Sequence, residues 1–251
     1  MCPNGWAQFC GFLDDWQTLI TGILAVIGAA IGAAYLHAQI RQTWSIENVR
    51  RARKRAALRA VMPLALARIV EYSKSCAETL QEFHSWSNGR ILSATGKTEP
   101  TIPNLPEETI TILSQFIEYS QPGETVLIED LLREIQVQSG RLRDIFSDIC
   151  RLDVMVTKDN IEDYLIDTAG VYARASACFN FARGLTDKLP TEVSWDNVRS
   201  ALRNLRVYDT QYPGVYEQIN KAAETSAGPK RFAPPGSAAR TASDTSPSSR
   251  R

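Results

Sequence analysis

The chain has 251 residues, 28 basic and 28 acidic side chains, and a hydrophobic share of 44%. That length accommodates an anchor plus one compact domain with a real core, and a net charge of zero gives no overall cationic field for nucleic acid. Five cysteines, at Cys2, Cys10, Cys76, Cys150 and Cys178, are too few and too scattered for a disulfide scaffold.

Residues 1–15 form a short N-terminal segment in which Asp14 and Asp15 are the only charged side chains. Leu19 to Leu36, LITGILAVIGAAIGAAYL, is an uncharged run of eighteen residues. As a helix rising about 1.5 Å per residue it spans roughly 27 Å, close to the hydrocarbon thickness of a bilayer. Its hydrogen-bonding side chains are Thr21, which can donate back to a helix carbonyl, and Tyr35 at the far end. Trp16, Tyr35 and Trp44 suit the headgroup level as interface anchors. A cleaved signal peptide would place cations before a shorter apolar core; here they come after. The sequence therefore predicts a transmembrane helix over 16–40. Within it Gly28 and Gly32 make a GxxxG pattern, extended by Ala25, Ala29 and Ala33. Small residues at that interval let two helix backbones approach, which predicts a homodimer through this segment.

A basic stretch follows at 41–60. It carries Arg41, Arg50, Arg51, Arg53, Lys54, Arg55 and Arg59 against Glu47 alone. Cations stay on the cytoplasmic side, so residues 1–15 are expected outside and the rest inside. The run at 50–55 wraps all around a helix, and each charge beside an anionic leaflet contributes about 1 kcal/mol. These seven cations are therefore the expected anionic-lipid contacts.

Residues 60–228 hold 16 basic and 24 acidic side chains, a net of −8, which argues against nucleic acid as a partner. Helical periodicity dominates here. Leu58, Met62, Ala65, Ile69, Tyr72, Cys76, Leu80 and Phe83 step by three or four residues and define one inward stripe. Asn88–Gly89 ends that helix, and a proline-rich loop runs to Pro106. Pro106 is expected at the first position of the next helix, with Glu107 and Glu108 on the positive end of its dipole. After Gln121–Pro122–Gly123 comes a stripe of Leu127, Leu131, Ile135, Gln138, Leu142, Ile145, Ile149 and Leu152, weakened at Gly140. The next stripe reads Ile161, Leu165, Ala169, Tyr172, Ser176 and Phe179, and it stops near Gly184. Ser194 is an N-cap for a short helix with Val198, Leu202 and Leu205. A last helix surrounds Val215, Ile219 and Ala222. The tail from 227 onward, basic and nearly free of aliphatics, is expected to be disordered.

Catalytic and metal chemistry find little purchase. The two histidines, His37 and His84, have no ligand partners at metal spacing, and neither HExxH nor CxxC occurs. No metal or cofactor is expected. Acid pairs such as Glu129–Asp130 and Glu162–Asp163 read as solvated surface, and Cys76, Cys150 and Cys178 as packing residues on apolar helix faces.

The segment DWQTLITGILAVIGAAIGAAYLHAQI, the basic run and AALRAVMPLALARIVEY together resemble a group of uncharacterised single-pass proteobacterial inner-membrane proteins. These open with an Asp-Trp-Gln turn into a Gly/Ala-rich span and an Arg-rich helix. The likeness covers about residues 14–80 and implies a bacterial inner-membrane location.

The expectation is thus an all-α protein: one N-terminal transmembrane helix, a cytoplasmic helical bundle over 61–226 and a disordered C-terminal tail. Its expected role is a membrane-anchored interaction, scaffold or signalling module with the lipid bilayer, a second copy and another protein as partners. The alternatives are a membrane-tethered enzyme with a carboxylate/Arg site, which needs acids on the inward stripes, and a prophage or defence-associated membrane protein.

Overall fold

The computed structural model describes residues 4–89, 91–93, 96–98, 100–151, 155–226 and 229. Leu152, Cys2 and the tail beyond Pro229 lie outside them. The fold is all-α. Helix α1 covers Asn4–Ser85; a hairpin of β1 (Ser87–Asn88) and β2 (Ile91–Leu92) follows; then come α2 (Glu107–Glu118), α3 (Val126–Cys150), α4 (Lys158–Ala177), the single turn α5 (Phe179–Ala182), α6 (Trp195–Asn204) and α7 (Pro213–Thr225). The chain divides into two compact units, Met1–Lys54 and Arg55–Arg251.

In the first unit α1 buries none of the apolar window that makes it long enough to cross a membrane. Thr21 Oγ donates to the Gln17 carbonyl at 2.7 Å, so the hydroxyl inside the apolar run is satisfied within its own helix.

The second unit has one continuous core. Leu58, Met62, Ile69, Cys76, Leu80 and Phe83 are buried along α1 at helical spacing. Pro63 lies inside this stretch of helix. A proline inside a helix costs about 3 kcal/mol through its missing N–H and its ring clash; here it stands beside the fully buried Met62 and Leu66. Helix α4 packs against α3, α6 and α7, while α2 packs against α3. Side chains of α1 join them: Phe83 meets Trp86 edge-on at 4.9 Å, Trp86 meets Phe146 of α3, and Gln81 donates to the Leu205 carbonyl at 2.9 Å.

Local chemistry explains the helix ends. Ser194 and Asn197 form a reciprocal capping box at the start of α6, as the sequence indicates for Ser194. Thr157 and Asn160 form a second box at the start of α4. Pro106 stands one residue earlier than expected: its ψ of 77° is not helical, so it caps α2 rather than opening it. Helix α6 ends with Arg206 at φ 59°, the Val207 amide reaching the Leu202 carbonyl and the Arg206 amide the Arg203 carbonyl. That is a Schellman motif with arginine where glycine is usual.

Three expectations are corrected. Ser176 is exposed, because the buried face of α4 broadens after Ala169 to Val171, Ala173, Ala175 and Cys178. Cys150 is exposed at the end of α3, whereas Cys76 and Cys178 are buried. Asp130 and Glu162 are buried rather than solvated; each has a cation at hand, Arg133 at 2.8 Å for Asp130 and Lys158 at 4.0 Å for Glu162.

Candidate functional site

The first candidate is the exposed apolar stretch of α1. Ala25, Gly28, Ala29, Gly32 and Ala33 are all exposed, and a Cβ built on Gly28 or Gly32 would meet nothing within 4 Å. The helix therefore leaves a face of small residues open to another backbone. Trp16, Tyr35 and Trp44 are exposed, as are Arg41, Arg50, Arg51, Arg53 and Lys54; Arg51 pairs with Glu47 at 3.1 Å.

The structure engages the remaining two cations inside the second unit. Arg55 pairs with Glu124 at 2.6 Å and lies 5.8 Å from the centre of the Phe116 ring. Arg59 stacks 4.1 Å from the Phe181 ring centre. From there its guanidinium donates to the Phe181 carbonyl at 2.8 Å and the Thr186 carbonyl at 2.6 Å. A planar fork that stacks and reaches two carbonyls at once is a use peculiar to arginine.

The second candidate is a cavity of about 400 Å³ among α3, α4, α6 and α7. Helix α3 contributes Glu134, Gln138 and Arg141, and α4 contributes Asp167, Gly170 and Arg174. Ile166, Trp195, Val198 and Ala222 supply apolar wall. Arg174, only 4% exposed, holds Glu134 at 2.7 Å, and Arg141 pairs with Asp167. Gly170 leaves room beside the inner pair, since a Cβ there would stand 3.0 Å from Arg174 Nη1. Burial pushes the Glu134 carboxyl up to about 7; Arg174 opposes the shift, and Asp167 and Asp130 reinforce it.

Gln138, also buried, donates through Nε2 to Thr168 Oγ1 at 2.5 Å. Thr168 spends its own proton on the Tyr164 carbonyl at 2.7 Å. The amide orientation is thereby fixed, and Gln138 Oε1 is left buried with no hydrogen-bond partner. Trp195 is steadied by a 3.3 Å bond from Nε1 to Ser226 Oγ.

A third cluster joins the ends of three helices. Nε2 of His84 lies 3.5 Å from Glu162 Oε1, and its ring is 4.7 Å from that of Tyr212. Burial, then Lys158, lowers the His84 pKa, with Glu162 pulling the other way. The Glu162 carboxylate presses on Gly214, where a Cβ would fall 2.1 Å from Oε2. Gly214 is in the first turn of α7, so the carboxylate meets the positive end of that helix. Among the described residues no group of three or more His, Cys, Asp or Glu could hold a metal ion.

The sequence places Gln138 on the inward stripe of α3 but gives no sign of the charged cavity around it. Gly170, a glycine deep inside a helical stripe, was the available signal of a close approach.

What emerges is an all-α chain with one helix long and apolar enough to cross a membrane and a helical domain holding a charged cavity. Comparison with family models, curated proteins and solved structures finds no match to it.

Proposed function

We propose that the chain is a single-pass protein of the bacterial inner membrane, with residues 1–15 outside. Its acidic helical bundle acts in the cytoplasm as a non-enzymatic interaction module, for scaffolding or signalling. The observation that carries this reading is the apolar stretch of α1, none of it buried in the protein and followed directly by cations. Burial in lipid would remove the exposed Leu19, Ile23, Leu24, Val26, Ile27, Ile31 and Leu36 from water. Arg41, Arg50, Arg51, Arg53 and Lys54 are exposed and suited to anionic headgroups. Two copies associate through Gly28 and Gly32, flanked by Ala25, Ala29 and Ala33.

The test is fractionation: the protein stays in the membrane pellet through an alkaline wash and is released by detergent. Recovery in the soluble fraction without detergent overturns the membrane reading. In membranes, a Gly28→Cys variant is expected to form a disulfide-linked dimer, and absence of that band removes the self-association.

One observation favours the alternative of a membrane-tethered enzyme. The cavity combines two carboxylates with two arginines, and one carboxylate, Glu134, is displaced toward neutrality, as acid–base catalysts are. Turnover abolished by Glu134→Gln, with binding retained, would promote that reading over the first.

A further inference from the structure

We propose that the cavity among α3, α4, α6 and α7 binds a zwitterion, an α-amino acid with an aliphatic or aromatic side chain. The inference does not rest on the membrane reading, since a freely soluble chain would keep the same cavity. Its volume of about 400 Å³ is that of a site for a small molecule.

Polarity is segregated around this space. All four ionisable side chains of the lining come from two helices, Glu134 and Arg141 from α3 and Asp167 and Arg174 from α4. Helices α6 and α7 contribute no charge; their share includes Trp195, Val198 and Ala222. A ligand that fills such a cavity has an ionic end and an apolar end. The two ion pairs form one cluster. Glu134 meets Arg174 at 2.7 Å and Asp167 meets Arg141, while Asp167 also acts on Glu134 and Arg174 on Asp167.

The charges of this cluster, two carboxylates and two guanidiniums, sum to zero. A carboxylate has about four acceptor positions and a guanidinium five N–H donors, so groups of both signs keep capacity beyond their one partner. A cation would use the acceptors alone and an anion the donors alone, and either would bring an uncompensated charge into a neutral site. A zwitterion uses both and leaves the net charge unchanged. A neutral amide also carries donors and acceptors, but without the charge assistance that makes such bonds strong. Spacing selects the α-amino acid. Glu134 and Arg174 are in contact, so the groups that answer them must be neighbours too, and an α-carbon carries its ammonium and its carboxylate side by side. Gly170 leaves room beside that pair, and Trp195, Val198 and Ala222 suit the apolar side chain.

Titration calorimetry on the full chain in mild detergent tests this with L-leucine and L-phenylalanine. Each is set against two analogues that lack one charge: 3-methylbutylamine and 4-methylpentanoate for leucine, 2-phenylethylamine and 3-phenylpropionate for phenylalanine. At least one of the amino acids is expected to bind saturably at one site per chain, and both its analogues at least about tenfold more weakly. The same loss is expected for 6-aminohexanoate, whose two charges are held apart. No saturable binding by either amino acid, or binding by one of these other compounds within about tenfold of the amino acid, overturns the proposal. These comparisons use the unaltered protein and decide the matter even if a variant fails to fold. Glu134→Gln should weaken the amino acid at least about tenfold, and Ala222→Phe, which fills the cavity from α7, should abolish its binding. Undiminished binding in either variant, once shown to be folded, equally overturns the proposal, since the ligand would then sit elsewhere.

Discussion

The Gln138–Thr168 contact allows a sharp separation of bonded from orphaned polarity. Both residues are buried, at 3% and 0% exposure. Replacing Thr168 by valine keeps the side-chain shape but removes the acceptor for Gln138 Nε2. A buried amide N–H without a partner costs about 1–3 kcal/mol. The Tyr164 carbonyl merely loses an extra donor. Replacing Gln138 by leucine removes the amide N–H together with an oxygen that has no donor at all. Thr168 keeps its bond to Tyr164, so nothing new is stranded and the change should lie within about 1 kcal/mol of zero. The double variant, Thr168→Val with Gln138→Leu, should resemble Gln138→Leu alone, because the penalty of the first substitution exists only while the amide is present. Urea unfolding of the full chain in mild detergent, followed by near-ultraviolet circular dichroism, reads this directly. With a slope of about 2 kcal/mol per molar, Thr168→Val should lower the midpoint by about 1 M and Gln138→Leu should barely move it. If Gln138→Leu is the more damaging substitution, or if the two losses simply add, the reasoning about the orphaned oxygen is wrong.

Arg59→Ala should destabilise the helical domain by about 1–3 kcal/mol, since it removes a stacked guanidinium and two charge-assisted bonds to carbonyls. Arg59→Lys should recover little of it; thermal unfolding decides, and a lysine variant matching wild type would show that charge alone matters. Arg206→Gly should stabilise by up to about 1 kcal/mol, because φ 59° strains a residue with a Cβ and costs glycine nothing. An unchanged unfolding midpoint would mean the Arg206 side chain makes a compensating contact. For pH, the carboxyl of Glu134 is raised in the folded state to about 7 from an ordinary 4.5, so the native protein holds a proton that the unfolded chain gives up. The contribution of Glu134 to stability is therefore greatest below about pH 4.5 and declines up to about pH 7, by about 3 kcal/mol over that window. Glu134→Gln abolishes this slope. Unfolding of both proteins measured at several pH values from 5 to 8 should show the gap changing in that direction. His84, whose pKa is lowered, loses stability as pH falls and affects both proteins alike.

What the sequence makes legible here is periodicity, and what it hides is pairing between helices. The stripes at 58–83 and 127–145 stay buried along their length, with Leu66 and Ala77 on α1 and Ile128 and Leu132 on α3 buried beside them. Helix α4 is enclosed by α3, α6 and α7, so its buried face is wide, and a one-line stripe through Tyr172 and Ser176 drifts to the outside. The Ser194 cap shows itself because it follows a proline-containing loop and precedes a clear helix. Thr157 has no such frame, being followed at once by Lys158, Asp159 and Asn160. The cavity was least visible of all. Glu134 and Arg174 are 40 positions apart, and each, read alone, is an ordinary charge on a helix. Only the packing of α3 on α4 turns them into a buried pair, and the sequence's one sign of it is the missing side chain at Gly170, where a Cβ would stand 3.0 Å from Arg174 Nη1. A glycine in the middle of a helix costs about 1 kcal/mol relative to alanine. Here that cost keeps two charges and an empty volume inside a domain whose other interior positions are mostly aliphatic or aromatic. Alanine at 170 with well-packed apolar residues in place of both Glu134 and Arg174 would be the better choice for stability alone.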